Sequence, residues 1–563
     1  MLKGIAASEG IGIGKVVTIT QQKIKYENKP VIGVHKEIDR LHAAIDTFVK
    51  KTEALAKKME QSVNAKDAKI IRGHITMLND PFMIEQMDEM IKNDTCAEAA
   101  AETALNMYRD IFAASEDELT RQRATDVEDI KTRLLKILLG IEDMDLKNLP
   151  PDTVLVVEDL TPSMTAELNR ENIAAIVTES GGMTSHSAIL SRALEIPAVL
   201  SVLAATSTLK QGSFVIVDGI DGVVIADPTM DQQAQYEEKK AAFLRDKELL
   251  KTFTGKPTVT ADGVHKEVFC NIGNPKDALQ AKKHDGEGVG LFRTEFLFMD
   301  RETMPSEEEQ YEAYRKVADT LEGKTIIIRT LDVGGDKEIP YMGLPKEENP
   351  FLGYRAIRYC LKNPDSYKVQ LRALIRANAD SGEHIWIMVP MVTSVSEIQA
   401  VCALVSEICE ETGLPRPKVG TMIETPAAFI MADVLAKYCD FFSIGTNDLT
   451  QYIMAADRGN AEVAYLYNTY DPAVLRALYG IIKAGTDAGI TVGMCGEAAA
   501  DPLLIPLLIH FGLEEFSVSP TSVLKTRREI SLWTAEEAAA VWDNVSKMET
   551  ADQAAEYLKG VRK

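Results

Sequence analysis

The chain has no C-x-x-C pair. Its seven cysteines, Cys96, Cys270, Cys360, Cys402, Cys409, Cys439 and Cys495, stand singly along the sequence. That scatter reads as reduced cytosolic thiols and argues against a disulfide framework or a cysteine-based zinc site. No apolar run approaches eighteen residues, and the first ten residues contain no apolar leader core. A cytoplasmic protein with no membrane insertion is therefore expected. Positive charge is in deficit: Lys plus Arg number 62 against 85 Asp plus Glu, a net charge of -23. Such a balance repels nucleic acid and acidic membranes and favours a locally basic protein partner. An anionic substrate would need a local cluster of arginines working against the global field. Glycine and proline are almost absent from Val34 to Leu139, where only Gly73 and Pro81 interrupt an Ala-, Leu-, Lys-, Glu- and Met-rich run. This composition predicts a bundle of several helices broken at Asn79-Asp80-Pro81. The bundle shows no catalytic constellation, its His42 and His74 read as solvated or core histidines, and partner binding is its expected role.

Against these absences stands a chain of 563 residues with 45% hydrophobic and 26% charged residues, ordinary for a folded multidomain protein. Residues 1 to about 20 alternate glycine with β-formers and read as a strand with a glycine turn; no strand precedes them, so a dinucleotide loop is not indicated. After Asn148-Leu-Pro-Pro-Asp152 the composition changes to short apolar runs, Thr153–Val157, Ile173–Val177, Pro197–Leu200, Phe214–Val217 and Val223–Ile225, separated by glycine turns. They predict a small α/β domain that the N-terminal strand could complete, with the bundle as an insertion. Within it, Gly181-Gly-Met-Thr-Ser-His-Ser187 opens a helix in which Ile189, Leu190, Ala193 and Leu194 fall at helical spacing. His186 then lies in the first turn, where backbone N–H groups and the helix dipole favour an anion such as a phosphoryl group on the imidazole. An isolated histidine in a cap region is usually no more than that, so the assignment depends on the rest of the chain. A charged stretch from about Asp231 to Thr252, punctuated by Asp227-Pro228 and Gly255-Lys-Pro257, would form a helix roughly 30 Å long and is expected to act as a lever between a mobile and a fixed domain.

The last 300 residues hold eight strand-like segments alternating with helical stretches: Val268–Asn271, Gly288–Phe292, Thr325–Ile328, Ile385–Val389, Val419–Ile423, Phe441–Ile444, Ile490–Gly493 and Phe516–Ser519. Eight such units predict a TIM barrel with its site at the strand C-termini. The polar residues after successive strands then converge: Arg293, Arg329, Glu424, Asn447 with Asp448, and Cys495. Glu424 and Asp448 are hard oxygen ligands suited to Mg2+, which keeps part of its shell for substrate. Arg293, Arg329 and Arg458, with Arg355 as a further candidate, supply planar forks matched to phosphate and carboxylate oxygens. Phosphoryl transfer needs such charge, and His186 can supply the nucleophile that the barrel lacks. Cys495, between glycines, could act as an acid toward a substrate carbon.

Together these stretches closely resemble the enzyme I family of the bacterial sugar phosphotransferase system. The matching runs include Gly4-Ile-Ala-Ala-Ser8, Gly73-His-Ile75, Thr161-Pro-Ser163, Gly181 to His186, Gly288 to Arg301, Arg329 to Lys337, Lys346 to Gly353, Glu424-Thr-Pro-Ala-Ala428, Phe441 to Gln451 and Gly493-Met-Cys-Gly-Glu497. The resemblance implies an α/β multidomain protein: a phosphohistidine domain over residues 1–20 and 144–228, a helical carrier-binding insertion over 21–143, a linker helix over 229–257, and a TIM barrel that also dimerises over 258–563. It implies Mg2+-dependent transfer from phosphoenolpyruvate to Nε2 of His186, and onward to a histidine of the phosphocarrier HPr, as the first step of sugar uptake. Substrate binding falls on Arg293, Arg329, Asn447, Asp448 and Arg458, metal binding on Glu424 and Asp448, and proton donation to the enolate on Cys495. Thr165 falls where a family hydroxyl orients the imidazole.

Two departures stand out. The family usually carries arginine at the place of Met183, and Val-Gly where this chain has Leu200-Ser201. Loss of a positive charge three residues before His186 is expected to lower efficiency, although the related pyruvate phosphate dikinases often carry methionine there. A dikinase or phosphoenolpyruvate synthase would need a nucleotide-binding domain, whereas residues 20–147 show only a helical pattern. A paralogue feeding a regulatory carrier is the other alternative, because no motif reports the carrier's identity.

Overall fold

The computed structural model describes residues 1–563 except 20–23, 25, 29–30, 63–64, 115–117, 142–145, 161–163, 165–167, 184, 300 and 335–338. The chain divides into two compact units, Met1–Asp246 and Lys247–Lys563. Thr165 and Thr184, both in the first unit, lie outside the described residues.

The first unit is built on an eight-stranded mixed sheet: β1 (Leu2–Lys3), β2 (Ile5–Ser8), β3 (Ile11–Ile19), β4 (Thr153–Val157), β5 (Ile173–Thr178), β6 (Ala198–Leu200), β7 (Phe214–Asp218) and β8 (Val223–Ala226), in the order β1-β8-β7-β3-β4-β5-β6-β2. The N-terminus supplies three short strands in place of the single strand expected, and β3 lies at the centre, parallel to β4 and antiparallel to β7. Its alternating glycines answer to packing. A Cβ on Gly12 would lie 2.3 Å from the Ala174 carbonyl oxygen, and one on Gly14 would lie 1.9 Å from that of Asp152. Strand β4 is buried along its whole length; Leu155 and Val157 enter one core while Val154 and Val156 enter the other, so this sheet is covered on both faces.

Among the described residues five α-helices run between β3 and β4, α1 (Val34–Ser62), α2 (Ala65–Leu78), α3 (Pro81–Lys92), α4 (Ala97–Ala113) and α5 (Glu118–Leu139). The break before α3 has a local cause. Asp80 caps the helix by accepting from the Phe82 amide, and Pro81 takes the first position, where its missing N–H costs nothing. Leu41, Ala44, Ile45 and Phe48 form one buried stripe of α1, and Ala97, Ala100, Ala101 and Ala104 give α4 a small-residue face toward the same core.

Helix α6 (His186–Ala193) follows β5, and α7 (Met230–Lys251) carries the chain into the second unit, with Lys239 paired to Asp218 and Asp221. The second unit contains a closed parallel barrel of β9 (Glu267–Ile272), β10 (Val289–Arg293), β11 (Ile326–Arg329), β12 (Ile385–Val389), β13 (Val419–Ile423), β14 (Phe441–Ile444), β15 (Thr491–Met494) and β16 (Glu515–Val518). Closure comes from β16 pairing with β9, Glu515 opposite Glu267 through Val518 opposite Cys270. The eight segments expected from sequence are these eight strands, and the TIM barrel follows. Leu291, Ile327, Met388, Met422, Phe441 and Cys495 fill its interior as one cluster. Among the described residues, no helix is long and apolar enough to cross a membrane.

Candidate active site

Helix α6 begins where the sequence predicts. Ser185 is its cap, its hydroxyl accepting from the Ala188 amide at 3.2 Å, and His186 is the first helical residue. The His186 side chain lies outside the described residues. The buried face of α6 differs from the apolar stripe expected: Ile189 is 55% exposed, while Ser187, Ala188, Leu190 and Ser191 are buried. The two serines are tolerated inside because each hydroxyl is paired, Ser187 donating to Asp159 at 2.8 Å and Ser191 to the Ser187 carbonyl at 2.8 Å.

The two departures also have structural counterparts. Met183 is 52% exposed, and its carbonyl accepts from the Arg192 guanidinium at 2.9 Å, so an α6 cation already holds this loop. Ser201 has φ of 55°, a conformation that favours glycine, and its hydroxyl donates to the Gly181 carbonyl at 2.7 Å. That bond offsets the roughly 1–2 kcal/mol of left-handed backbone and ties β6 to the glycine turn before His186.

In the barrel the strand ends bring the expected residues together. Arg293 ends β10 and is exposed, with no ion pair among the described residues. Arg329 ends β11 and is buried. From it runs a string of side chains alternating in sign. Arg329 pairs with Glu295 at 2.7 Å and Asp332 at 3.2 Å; Asp332 pairs with Arg355 at 2.8 Å; Asp448 then meets Arg355 at 3.4 Å and Arg458 at 3.1 Å. Asn447 and Asp448 project from the first turn of α8 (Thr446–Met454), and Asn447 accepts from the Glu497 amide at 3.2 Å. Arg355 and Arg458 both lie over the Phe351 ring. The sequence reading did not single out Glu295 and Asp332. Their signal is a carboxylate two or three residues beyond a strand-end arginine.

Burial alone would weaken the Arg329 charge. The carboxylates of Glu295, Asp332 and Glu424 outweigh it, and the guanidinium holds its proton more firmly than in water. Its Nε has no hydrogen-bond partner among the described residues, leaving a buried donor for an anion. Glu424 follows β13 at 2% exposure, and its Oε1 accepts from the Met391 amide at 2.6 Å. Burial, reinforced by the Asp448 and Asp332 carboxylates and opposed by Arg329 and Arg355, pushes its pKa up to about 8. Among the described residues no group of three or more His, Cys, Asp and Glu side chains could hold a metal by itself. A cation here would draw part of its shell from substrate and water, the habit of Mg2+. Cys495 follows β15, 4% exposed, its Sγ 3.7 Å from the Ile444 carbonyl oxygen. Burial, with help from Glu515 and Glu424 and against Ser443 and Arg329, pushes its pKa up to about 12. It is therefore a thiol at neutral pH, suited to giving a proton and not to nucleophilic attack.

The loop after Cys495 and the start of α8 pack without clearance. A Cβ on Gly496 would lie 1.8 Å from Thr446 Oγ1 and 2.7 Å from the Thr446 amide nitrogen. Gly496→Ala is expected to lower stability by about 1–3 kcal/mol and part the two segments. Thermal unfolding measures the first effect, and faster alkylation of Cys495 than in the parent chain measures the second.

Comparison with known proteins bears on the whole length. Models of the PEP-utilising enzymes match in three parts: the N-terminal region over residues 3–123, the mobile domain over 149–222 and the PEP-binding domain over 247–534. The chain is 43% identical to the phosphoenolpyruvate-protein phosphotransferase of Geobacillus stearothermophilus over 99% of its own length and 97% of the relative's. It is 42% identical to that of Bacillus subtilis, covering 99% of both chains, and 41% identical to that of Staphylococcus epidermidis, covering all of both.

Proposed function

Because the chain belongs to the phosphoenolpyruvate-protein phosphotransferase family, we infer that phosphoenolpyruvate binds at the C-terminal mouth of the barrel and that His186 takes its phosphoryl group. The protein is an enzyme of the phosphotransferase system that moves a phosphoryl group from phosphoenolpyruvate to a phosphocarrier protein. The observation that carries the assignment to this site is the string of alternating charges at the strand ends, with Cys495 beside it.

Arg293, Arg329 and Arg458, with Asn447, hold the phosphate and carboxylate oxygens. The guanidinium groups of Arg329 and Arg458 are fixed by their carboxylate partners before substrate arrives, so little reorganisation accompanies charge development there. Glu424 and Asp448 would hold Mg2+. The proton affinity of Glu424, raised first by burial and then by the like charges of Asp448 and Asp332, supports this fit, since that repulsion is what a cation would neutralise. When bound, Mg2+ supplies charge stabilisation for the phosphoryl and enolate oxygens. The His186 imidazole attacks phosphorus, the bridging oxygen leaves with the enolate, and the Cys495 thiol delivers a proton to the enolate carbon to give pyruvate. Labelled phosphoenolpyruvate with Mg2+ followed by peptide mapping tests the reading; label on any peptide other than the one containing His186 overturns it.

The second transfer, to a histidine of the carrier HPr, is assigned to the helical bundle. Phe82 on α3 and Met107 and Ile111 on α4 are 66%, 38% and 59% exposed, and Gln86 Nε2 donates to Met107 Sδ at 3.6 Å, joining the two helices at this patch. Such a surface suits an apolar patch on a locally basic partner. The double substitution Phe82→Ser and Ile111→Ser is expected to raise the KM for carrier about tenfold, leaving His186 phosphorylation and thermal stability unchanged. Stopped-flow transfer with carrier titrated checks the first effect, and calorimetry checks the last. The homodimer contact is assigned to the barrel, where Ile430 and Met431 stand exposed side by side; sedimentation of Ile430→Glu tests it.

A further inference from the structure

Proton donation to the enolate leaves Cys495 as a thiolate, which must regain a proton before the next turnover. Below Cys495, inside the barrel, sits a carboxyl that the mechanism does not use. Glu515 opens β16, is 1% exposed, and neither of its oxygens has a hydrogen-bond partner among the described residues. Two glycines clear its place: a Cβ on Gly493 would lie 1.9 Å from Oε2, and one on Gly290 would lie 2.4 Å from Oε1.

Register defines what lies beside it. Ser443 on β14 pairs with Gly493 on β15, and Gly493 pairs with Glu515 on β16, so the three form one row with the bare glycine in the middle. Cys495 is two residues beyond Gly493 and therefore on the same face. The Ser443 hydroxyl is fully buried, has no hydrogen bond of good geometry among the described residues, and is the polar group near Cys495 that eases ionisation of its thiol. On the other side of Glu515 the row continues to Glu267, the first residue of β9, which is only partly buried. Glu515 and Glu267 thus stand at the N-terminal ends of their strands, opposite the face that carries the arginines. The titratable groups bearing on Glu515 are Glu267 and Cys270 from β9 and Cys495 from beyond β15. Burial, joined by the Glu267 charge, keeps the Glu515 carboxyl protonated well above the usual carboxylate range.

We propose that Glu515 returns a proton to the Cys495 thiolate after each turnover, by way of the Ser443 hydroxyl. The proposal rests on the reading of Cys495 as the donor to the enolate. In that step an S–H bond breaks and a C–H bond forms. In the return step the Ser443 O–H donates to sulfur while the Glu515 O–H donates to the Ser443 oxygen. One S–H bond forms, one carboxyl O–H bond breaks, and no electrons are exchanged. The carboxylate recovers its proton through Glu267 from solvent at the N-terminal mouth, away from the substrate face. Glu515 touches no reacting atom and acts through Cys495.

Glu515→Gln in the full-length chain keeps the volume and removes the proton. Since the thiol begins each experiment protonated, the first turnover of pyruvate is expected at the parent rate, followed by a steady state slower by about tenfold or more, which appears as a burst of one pyruvate per barrel. Equal slowing of both phases, as loss of packing would give, overturns the proposal, and so does an unchanged steady state. Cys495→Ala separates this from the underlying reading: it must slow the first turnover, and an unaffected first turnover removes Cys495 as donor whatever Glu515 does. Should Glu515→Gln fail to fold, infrared spectroscopy of the parent chain decides, because mixing with phosphoenolpyruvate should transiently bleach a carboxylic-acid carbonyl band; a constant band overturns the proposal.

Discussion

A His186→Ala chain incubated with labelled phosphoenolpyruvate and Mg2+ takes up no acid-labile phosphate, and carrier phosphorylation falls to background. No partial activity is expected, because the substitution removes the only group in this reading to which phosphorus can bond. The barrel arginines would still hold the substrate, so binding should survive. Ser185 continues to cap α6 and the buried face Ser187, Ala188, Leu190 and Ser191 is untouched, so the unfolding temperature should stay within a degree or two of the parent. Equilibrium binding of phosphoenolpyruvate together with phosphate release under acid gives the two readouts. Retained label in His186→Ala would require another acceptor and would remove the assignment.

Glu424→Gln separates function from stability in the opposite way. The parent carboxyl is buried beside Asp448 and Asp332, and that proximity is unfavourable until a cation is bound. Replacing it with the neutral amide should cost on the order of 10²-fold or more in turnover, with a weakened Mg2+ requirement, because one of two carboxylate ligands is gone. In chelator, however, the variant should melt no lower than the parent. The pH dependence has a definite sign. The folded-state pKa of Glu424, about 8, lies above its ordinary value of 4.5. Its contribution to the stability of the metal-free parent is therefore fully present below pH 4.5 and is lost as pH rises through 8. Thermal unfolding of the two chains in chelator between pH 5 and pH 8 should show this decline in the parent and a flatter line in Glu424→Gln. A parallel decline would exclude Glu424 as its source.

The barrel was legible from the sequence because each strand is a short apolar run bounded by a helix pattern. Arg293, Arg329 and Glu424 are the first residues past their runs, and Asn447, Asp448 and Cys495 follow theirs within four residues, so these could be picked out on that ground. Glu295 and Asp332 could not, since each follows an arginine by two or three residues and reads as its local salt-bridge partner. Their role in linking β10, β11 and the Arg355 segment depends on strand neighbours far apart in sequence. Glu515 was hidden for a related reason: a glutamate at a strand start reads as solvated, and only Gly290 and Gly493, contributed by two other strands, make room for it inside. In the first unit the helix start at Ser185 was clear, but not which residues of α6 face inward. Periodicity favours Ile189, whereas the serines are inside because local hydrogen bonds satisfy them.

The string from Glu295 to Arg458 also constrains how this site can change over evolutionary time. Each interior member has neighbours of opposite sign on both sides, so loss of one leaves two like charges facing each other with their common counterion gone. A single substitution at Asp332 or Arg355 is therefore read out at sites it does not touch, and its penalty depends on the state of residues one step further along. Viable drift along the string has to proceed by paired, charge-conserving exchanges, and the strand ends it spans are obliged to vary together.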